Sequence, residues 1–159
     1  MTIEFMLLVN KQGQTRLAHY TKFLPIEERS AMEGEIVRKC LQRRETECNF
    51  LEHLHYKIVY RRYASLFVIV GIDGSRATST AAPETGNDTF YTCAGDGDGN
   101  AMQEGELAVF EFIHLVVETF DKYFGDVCEL DVMFNLEKAH FILEEMIANE
   151  RSVRNKQAP

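Results

Sequence analysis

No apolar run in these 159 residues approaches the ~20 needed to cross a bilayer, which argues against a spanning helix. Positive charge is in deficit: 17 Lys and Arg face 25 Asp and Glu, for a net charge of −8. Nonspecific nucleic-acid binding and independent docking on an anionic membrane both need a dense basic patch, so this balance argues against either. Cysteine is sparse, and Cys40, Cys48, Cys93 and Cys128 form no CxxC pair and no regular spacing. Reduced thiols in a cytosolic protein are the expectation, with Cys40 and Cys128 in apolar stretches as core residues. There is no nucleophile elbow, P-loop, dinucleotide-binding glycine run or internal repeat; Gly71-Ile72-Asp73-Gly74 is too short a fragment to count. Catalysis is therefore not indicated, and no cofactor is expected.

What is present has the length and composition of one ordinary globular domain, 45% hydrophobic and 26% charged. Met1–Asn10 carries Glu4, lacks a basic leader and a small-residue cleavage site, and reads as a strand over Thr2–Val9 rather than a signal peptide. Its nearly continuous apolar run suggests burial on both faces. Asn10–Gln14 is a turn in which Gly13 can take a positive φ, and Thr15–Tyr20 returns as the second strand of a hairpin. Pro25, Glu27 and Glu28 suit a helix start. Met32, Ile36, Val37, Cys40 and Leu41 follow at helical spacing, with Lys39, Arg43 and Arg44 at the negative end.

Asn49–His53, Tyr56–Tyr63 and Ser65–Gly71 read as three further strands. Arg61 and Arg62 fall in the second of these and should point to opposite faces. Leu107–Phe124 is a helix with the stripe Val109, Ile113, Val116, Val117, Phe120 and Phe124, stopped by Gly125. Asp131–Ile147 is another, with Val132, Leu136, Ala139, Leu143 and Met146 in line. Phe110 and Phe112 lie outside the first stripe, and Phe134, Phe141 and Ile142 outside the second. A helix apolar on more than one side is buried on more than one side, so a partner protein is expected. Asp73–Gly105, rich in Gly, Ser, Thr, Ala, Asp and Asn, reads as a disordered surface insertion.

Two constellations invite a metal reading. Asp96-Gly97-Asp98-Gly99-Asn100 alternates like a calcium loop, but Ala101 and Leu107 stand where an EF-hand needs Gly and Glu. Cys48, His53 and His55 are close in sequence, and residues 53 and 55 would share a face within a strand. No closing Cys or His pair follows at zinc-like spacing. A flexible linker and a structural role are the simpler readings, and a small metal-dependent enzyme is the outlying alternative.

The ordered pieces are a hairpin, a helix, three strands and two helices, the order of a longin-type domain. The chain resembles the small (sigma) subunits of heterotetrameric adaptor protein complexes through NKQGQTRL (10–17), EGEIVRKCL (33–41), YKIVYRRYASLF (56–67), EFIH (111–114), DKYFGDVCELD (121–131) and FNLEKAHFILEEM (134–146). NKQGQTRL, EGEIVRKCL and MFNLEKAH are most similar to the complex-four branch. The resemblance implies an α+β (α/β) longin-like fold: a five-stranded, mainly antiparallel sheet with one helix on one face and two on the other. It spans residues 1–148, leaving 149–159 as a polar, frayed tail. It implies a non-catalytic subunit in vesicle-mediated transport, packed against large adaptin chains beside a medium chain. An Arf-family GTPase would recruit it indirectly, with peripheral attachment at trans-Golgi or endosomal membranes.

It further implies a site for acidic dileucine sorting signals in membrane cargo, with Arg16 as the cation, Ala64 and Leu66 as the strand wall, and Val117, Val127 and Val132 as the helix wall. Asp126, where dileucine-binding relatives often carry Asn, would disfavour an acidic peptide. A coatomer zeta-like subunit is the alternative within this fold class, made less fitting by EGEIVRKCL and VCELD. A longin-type SNARE would need a heptad helix after the domain.

Overall fold

The apolar stretch that opens the chain becomes the middle of the sheet. In the computed structural model, which describes residues 3–44, 49–63, 65–73, 104–125 and 129–157, strand β1 (Ile3–Asn10) is buried at every position. Strands β2 (Thr15–Tyr20) and β5 (Leu66–Asp73) flank it, with β4 (Tyr56–Tyr63) and then β3 (Phe50–His53) outside β5. The order is β2-β1-β5-β4-β3, and every pairing is antiparallel.

Period-two alternation sorts the strand side chains into two cores. Phe5, Leu7, Val9, Ile58, Tyr60 and Ile69 pack under helix α1 (Ile26–Gln42), which supplies Met32, Ile36, Val37 and Cys40. Burial pushes the Cys40 thiol up to about 12, so it stays protonated and behaves as a small hydrophobe. Met6, Leu8, Leu17, Val59, Val68 and Val70 face the other way. They meet α2 (Glu104–Phe124), α3 (Glu129–Phe134) and α4 (Leu136–Gln157). Arg61 and Arg62 part as alternation requires: one guanidinium lies 5.4 Å from the Tyr63 ring centroid, the other 5.8 Å from that of Phe67. Those rings belong to opposite cores.

Two bulges break the alternation. Glu4 is the extra residue where β1 meets β5, so Ile3 and Met6 share a core although three residues apart. Its carboxylate is buried and takes a salt bridge from Lys22 Nζ at 3.0 Å. Arg16 is the extra residue where β2 meets β1, between Leu8↔Leu17 and Val9↔Thr15. Gly13 takes the expected positive φ, +86°, in the intervening turn.

The expected helix over Asp131–Ile147 divides into α3 and α4 at Asn135. There the Asn135 side-chain Nδ2 and its backbone N–H both donate to the Asp131 carbonyl, each at 3.1 Å. Such back-bonding competes with the regular ladder. Among the described residues, α2 and the pair α3–α4 cover this face. α4 also runs on to Gln157 through residues that composition alone reads as a polar tail; Ala148, Glu150, Arg151 and Arg154 are good helix formers. Phe112 is buried within the chain, and Phe110 packs edge-on against Phe50 at 4.8 Å. Phe134 and Phe141 stay exposed. The Asp73–Gly105 insertion lies, but for Asp73 and the two residues opening α2, outside the described residues, as do Cys48, Cys93, Asp126 and Cys128.

Candidate functional site

Register puts two of the candidate residues, Leu66 and Arg16, at one end of the sheet. Leu66 opens β5 opposite both Asn10 on β1 and Tyr63 on β4, so the start of β5 lies beside the β1–β2 turn. The turn is organised by Asn10, a buried polar residue. Its Oδ1 accepts from the backbone N–H of Gln12 (3.1 Å) and Gln14 (2.8 Å), and its Nδ2 donates to Gln14 Oε1 at 3.2 Å. That same oxygen accepts from Arg16 Nη2 at 3.0 Å. NKQGQTR is thus a chain of contacts in which Asn10 shapes the turn and Gln14 holds the bulged arginine.

The apolar candidates come together, but as core. Leu66 is 5% exposed, Val117 9% and Val132 0%, and all three belong to one cluster with Leu8 and Leu17. β5, α2 and α3 supply them, and α3 packs against β2, the strand that carries Arg16. Ala64 and Val127 lie outside the described residues. Sequence reasoning missed Tyr63. Its ring is partly buried in the same region, its buried hydroxyl has no hydrogen-bond partner among the described residues, and its pKa is pushed above the usual tyrosine range by burial. An orphaned hydroxyl costs about 1–3 kcal/mol, and its position beside Leu66 was the available signal.

Sequence comparison bears on what such an end serves. The pattern described as "Clathrin adaptor complex small chain" matches residues 2–80 and 89–157. The chain belongs to this adaptor small-chain family. The gap between the matched segments, 81–88, falls inside the insertion. The AP-4 complex subunit sigma of Arabidopsis thaliana is 54% identical over 99% of this chain and 91% of its own length. The AP-4 complex subunit sigma-1 of Homo sapiens is 41% identical over 98% and 89%. A chain in a homology model of the full-length AP-3 complex in a stretched open conformation superposes with a TM-score of 0.63 at 20% identity. It covers 98% of this chain and 95% of that one, which supports the fold.

In this small chain the histidine pair does not form the shared face that a metal reading required. His53 ends β3, whereas Leu54 and His55 make the two-residue connection to Tyr56, and His55 lies 4.0 Å from the Tyr56 ring. His53 is buried, with Nε2 3.4 Å from Glu35 Oε2 but without hydrogen-bond geometry. Burial lowers its pKa below the usual histidine range, Lys39 adds to this, and Glu35 opposes it. The unfolded chain therefore binds this proton more tightly. Stability should be full above about pH 6.5 and fall as pH drops through the lowered native value. Urea midpoints between pH 5 and 8 should show that slope, and His53→Gln should flatten it.

Proposed function

We propose that this chain is the small subunit of an AP-4-type adaptor complex, acting by assembly and cargo recognition rather than by catalysis. The observation that carries this is similarity to AP-4 sigma subunits of a plant and of human along nearly the whole chain, sheet and helices alike. Its partners are the two large chains and the medium chain of the complex. Among the described residues no helix is long and apolar enough to cross a membrane. Attachment to trans-Golgi or endosomal membranes is peripheral, through the assembled complex and indirectly through an Arf-family GTPase.

For cargo recognition the reading uses the turn end of the sheet. An acidic dileucine signal needs an apolar cleft and a cation, and Arg16 sits beside the cluster containing Leu66, Val117 and Val132, with Ala64 and Val127 as the remaining wall. Each leucine buried there would contribute roughly 1.5–3 kcal/mol, and an exposed contact from Arg16 about 1 kcal/mol. Since the described wall residues are covered in the free chain, this reading requires the cluster to open before the leucines can enter.

That burial selects the test. Leu66→Ser or Val117→Asp would report on folding, because each puts a polar or charged group into the core. Arg16→Glu leaves the core intact. In the reconstituted pair of large and small chains, it should weaken binding of an acidic dileucine peptide by about tenfold, since it replaces attraction with repulsion. A peptide with the acid replaced by alanine should bind unchanged. Equal effects on both peptides, or none, would remove Arg16 from the site.

A further inference from the structure

The cations of this chain are unevenly spread. Residues 9–14, 37–44, 60–63 and 65–68 hold Lys11, Arg38, Lys39, Arg43, Arg44, Arg61 and Arg62 and no side-chain carboxylate, in a chain of net charge −8. Packing and register bring these stretches to the turn end of the sheet. A Cβ built on Gly13 would lie 3.1 Å from Leu41 Cδ1 and 3.4 Å from Val37 Cγ1. The last turn of α1 therefore rests on the β1–β2 turn, which carries exposed Lys11. The helix stops there: Arg43 is extended and donates to the Phe50 carbonyl, and Arg44 follows, exposed. Phe67 of β5 pairs with Val9 on one side and Arg62 on the other. Its ring packs on the core under α1, 5.8 Å from the Arg62 guanidinium, so Arg62 lies on the α1 face.

Basic residues at a helix C-terminus complement its dipole, which accounts for Lys39, Arg43 and Arg44 one by one. It does not account for Lys11 and Arg62, which come from a turn and a strand. Glu45 and Glu47 come next along the chain, outside the described residues; counting them, seven cations still face two acids. Net charge describes the whole surface, whereas local distribution decides what one face attracts. A second copy of the chain would present the same cations and be repelled. An acidic dileucine signal belongs to membrane cargo, so the end of the sheet that carries Arg16 must come within reach of the bilayer.

We propose that the basic end formed by Lys11, Arg43, Arg44 and Arg62 is a contact for anionic lipid headgroups, which turns the cargo end of this small chain toward the membrane. The orientation rests on the cargo reading above; the lipid contact uses residues other than Arg16. Guanidinium groups fit phosphate oxygens two at a time, and Lys11 adds a point charge. The attraction falls off within a Debye length, so it weakens with salt. One such patch on an acidic chain strengthens and orients attachment of the complex; it does not recruit the chain by itself.

The test uses the reconstituted pair of large and small chains and vesicles of phosphatidylcholine, with or without phosphatidylserine. The wild type should favour the phosphatidylserine vesicles, and the preference should shrink as salt rises. Lys11→Glu combined with Arg44→Glu should lower binding to those vesicles by about tenfold. Both side chains are exposed, so the thermal midpoint should stay at the wild-type value and a soluble dileucine peptide should still bind. Wild-type vesicle binding by the variant would overturn the assignment, as would a wild type that does not distinguish the two vesicles. If the variant instead releases the large chain, the patch is a protein contact and the assignment also falls. A wild type that binds the lipid but no dileucine peptide keeps the lipid contact and sinks the cargo reading, a separate failure.

Discussion

Phe120→Ala should destabilise the chain by about 3–5 kcal/mol, the usual cost of truncating a buried phenylalanine. Phe120 is fully buried in α2 and belongs to the cluster that joins the sheet to all three helices of that face. Its neighbours have little freedom to collapse into the space. Val116 and Val117 are one turn back on the same helix, and Phe124, one turn on, already contacts the ring at 5.9 Å. Against a total stability of about 5–15 kcal/mol, this loss would leave a marginal domain. Leu115→Ala, on the outer side of the same helix, is the matched control and should cost little. Urea unfolding of both variants checks this; a loss below about 1 kcal/mol for Phe120→Ala would mean that α2 does not anchor the fold.

The smallest substitution should produce the second large effect. Gly71 pairs with Phe5 across β1 and β5, and a Cβ built on Gly71 would lie 2.2 Å from the Phe5 ring. The ring has nowhere to go: Tyr20 and Tyr56 hold it at centroid distances of 5.7 and 5.4 Å, and it is fully buried. Gly71→Ala should therefore cost about 3 kcal/mol, the upper end of ordinary overpacking. Phe5→Leu alone should also destabilise, through lost burial and a cavity. Combined, the two should cost less than their sum, because removing the ring removes the clash. Strict additivity in that double-mutant cycle would show that Phe5 does not occupy the space over Gly71.

Much of this architecture was legible because its signals are local and periodic. β2 and β4 have the bounds their alternation predicts, and α1 starts beside Pro25 with the apolar spacing it needs. What escaped depends on pairing between segments. The bulges at Glu4 and Arg16 exist only because a partner strand skips a residue, so nothing in either strand alone announces them. The break at Asn135 depends on its side chain donating to the Asp131 carbonyl, and the extension of α4 to Gln157 runs against the polarity of its composition. At the candidate site, the family resemblance named Leu66, Val117 and Val132 as the walls of a cleft. It could not distinguish the wall of a cleft from the interior of a core, because both require the same side chains. Phe112 and Phe134 make the same point: both fall outside their helix's stripe, yet one is covered by the chain itself and the other faces outward.

The most direct measurement is affinity purification of the tagged full-length chain from its source cells, with its partners identified by mass spectrometry. Stoichiometric recovery of two large chains and one medium chain of an AP-4-type complex is the expected result. A chain recovered alone, or with subunits of another coat such as coatomer, would contradict it.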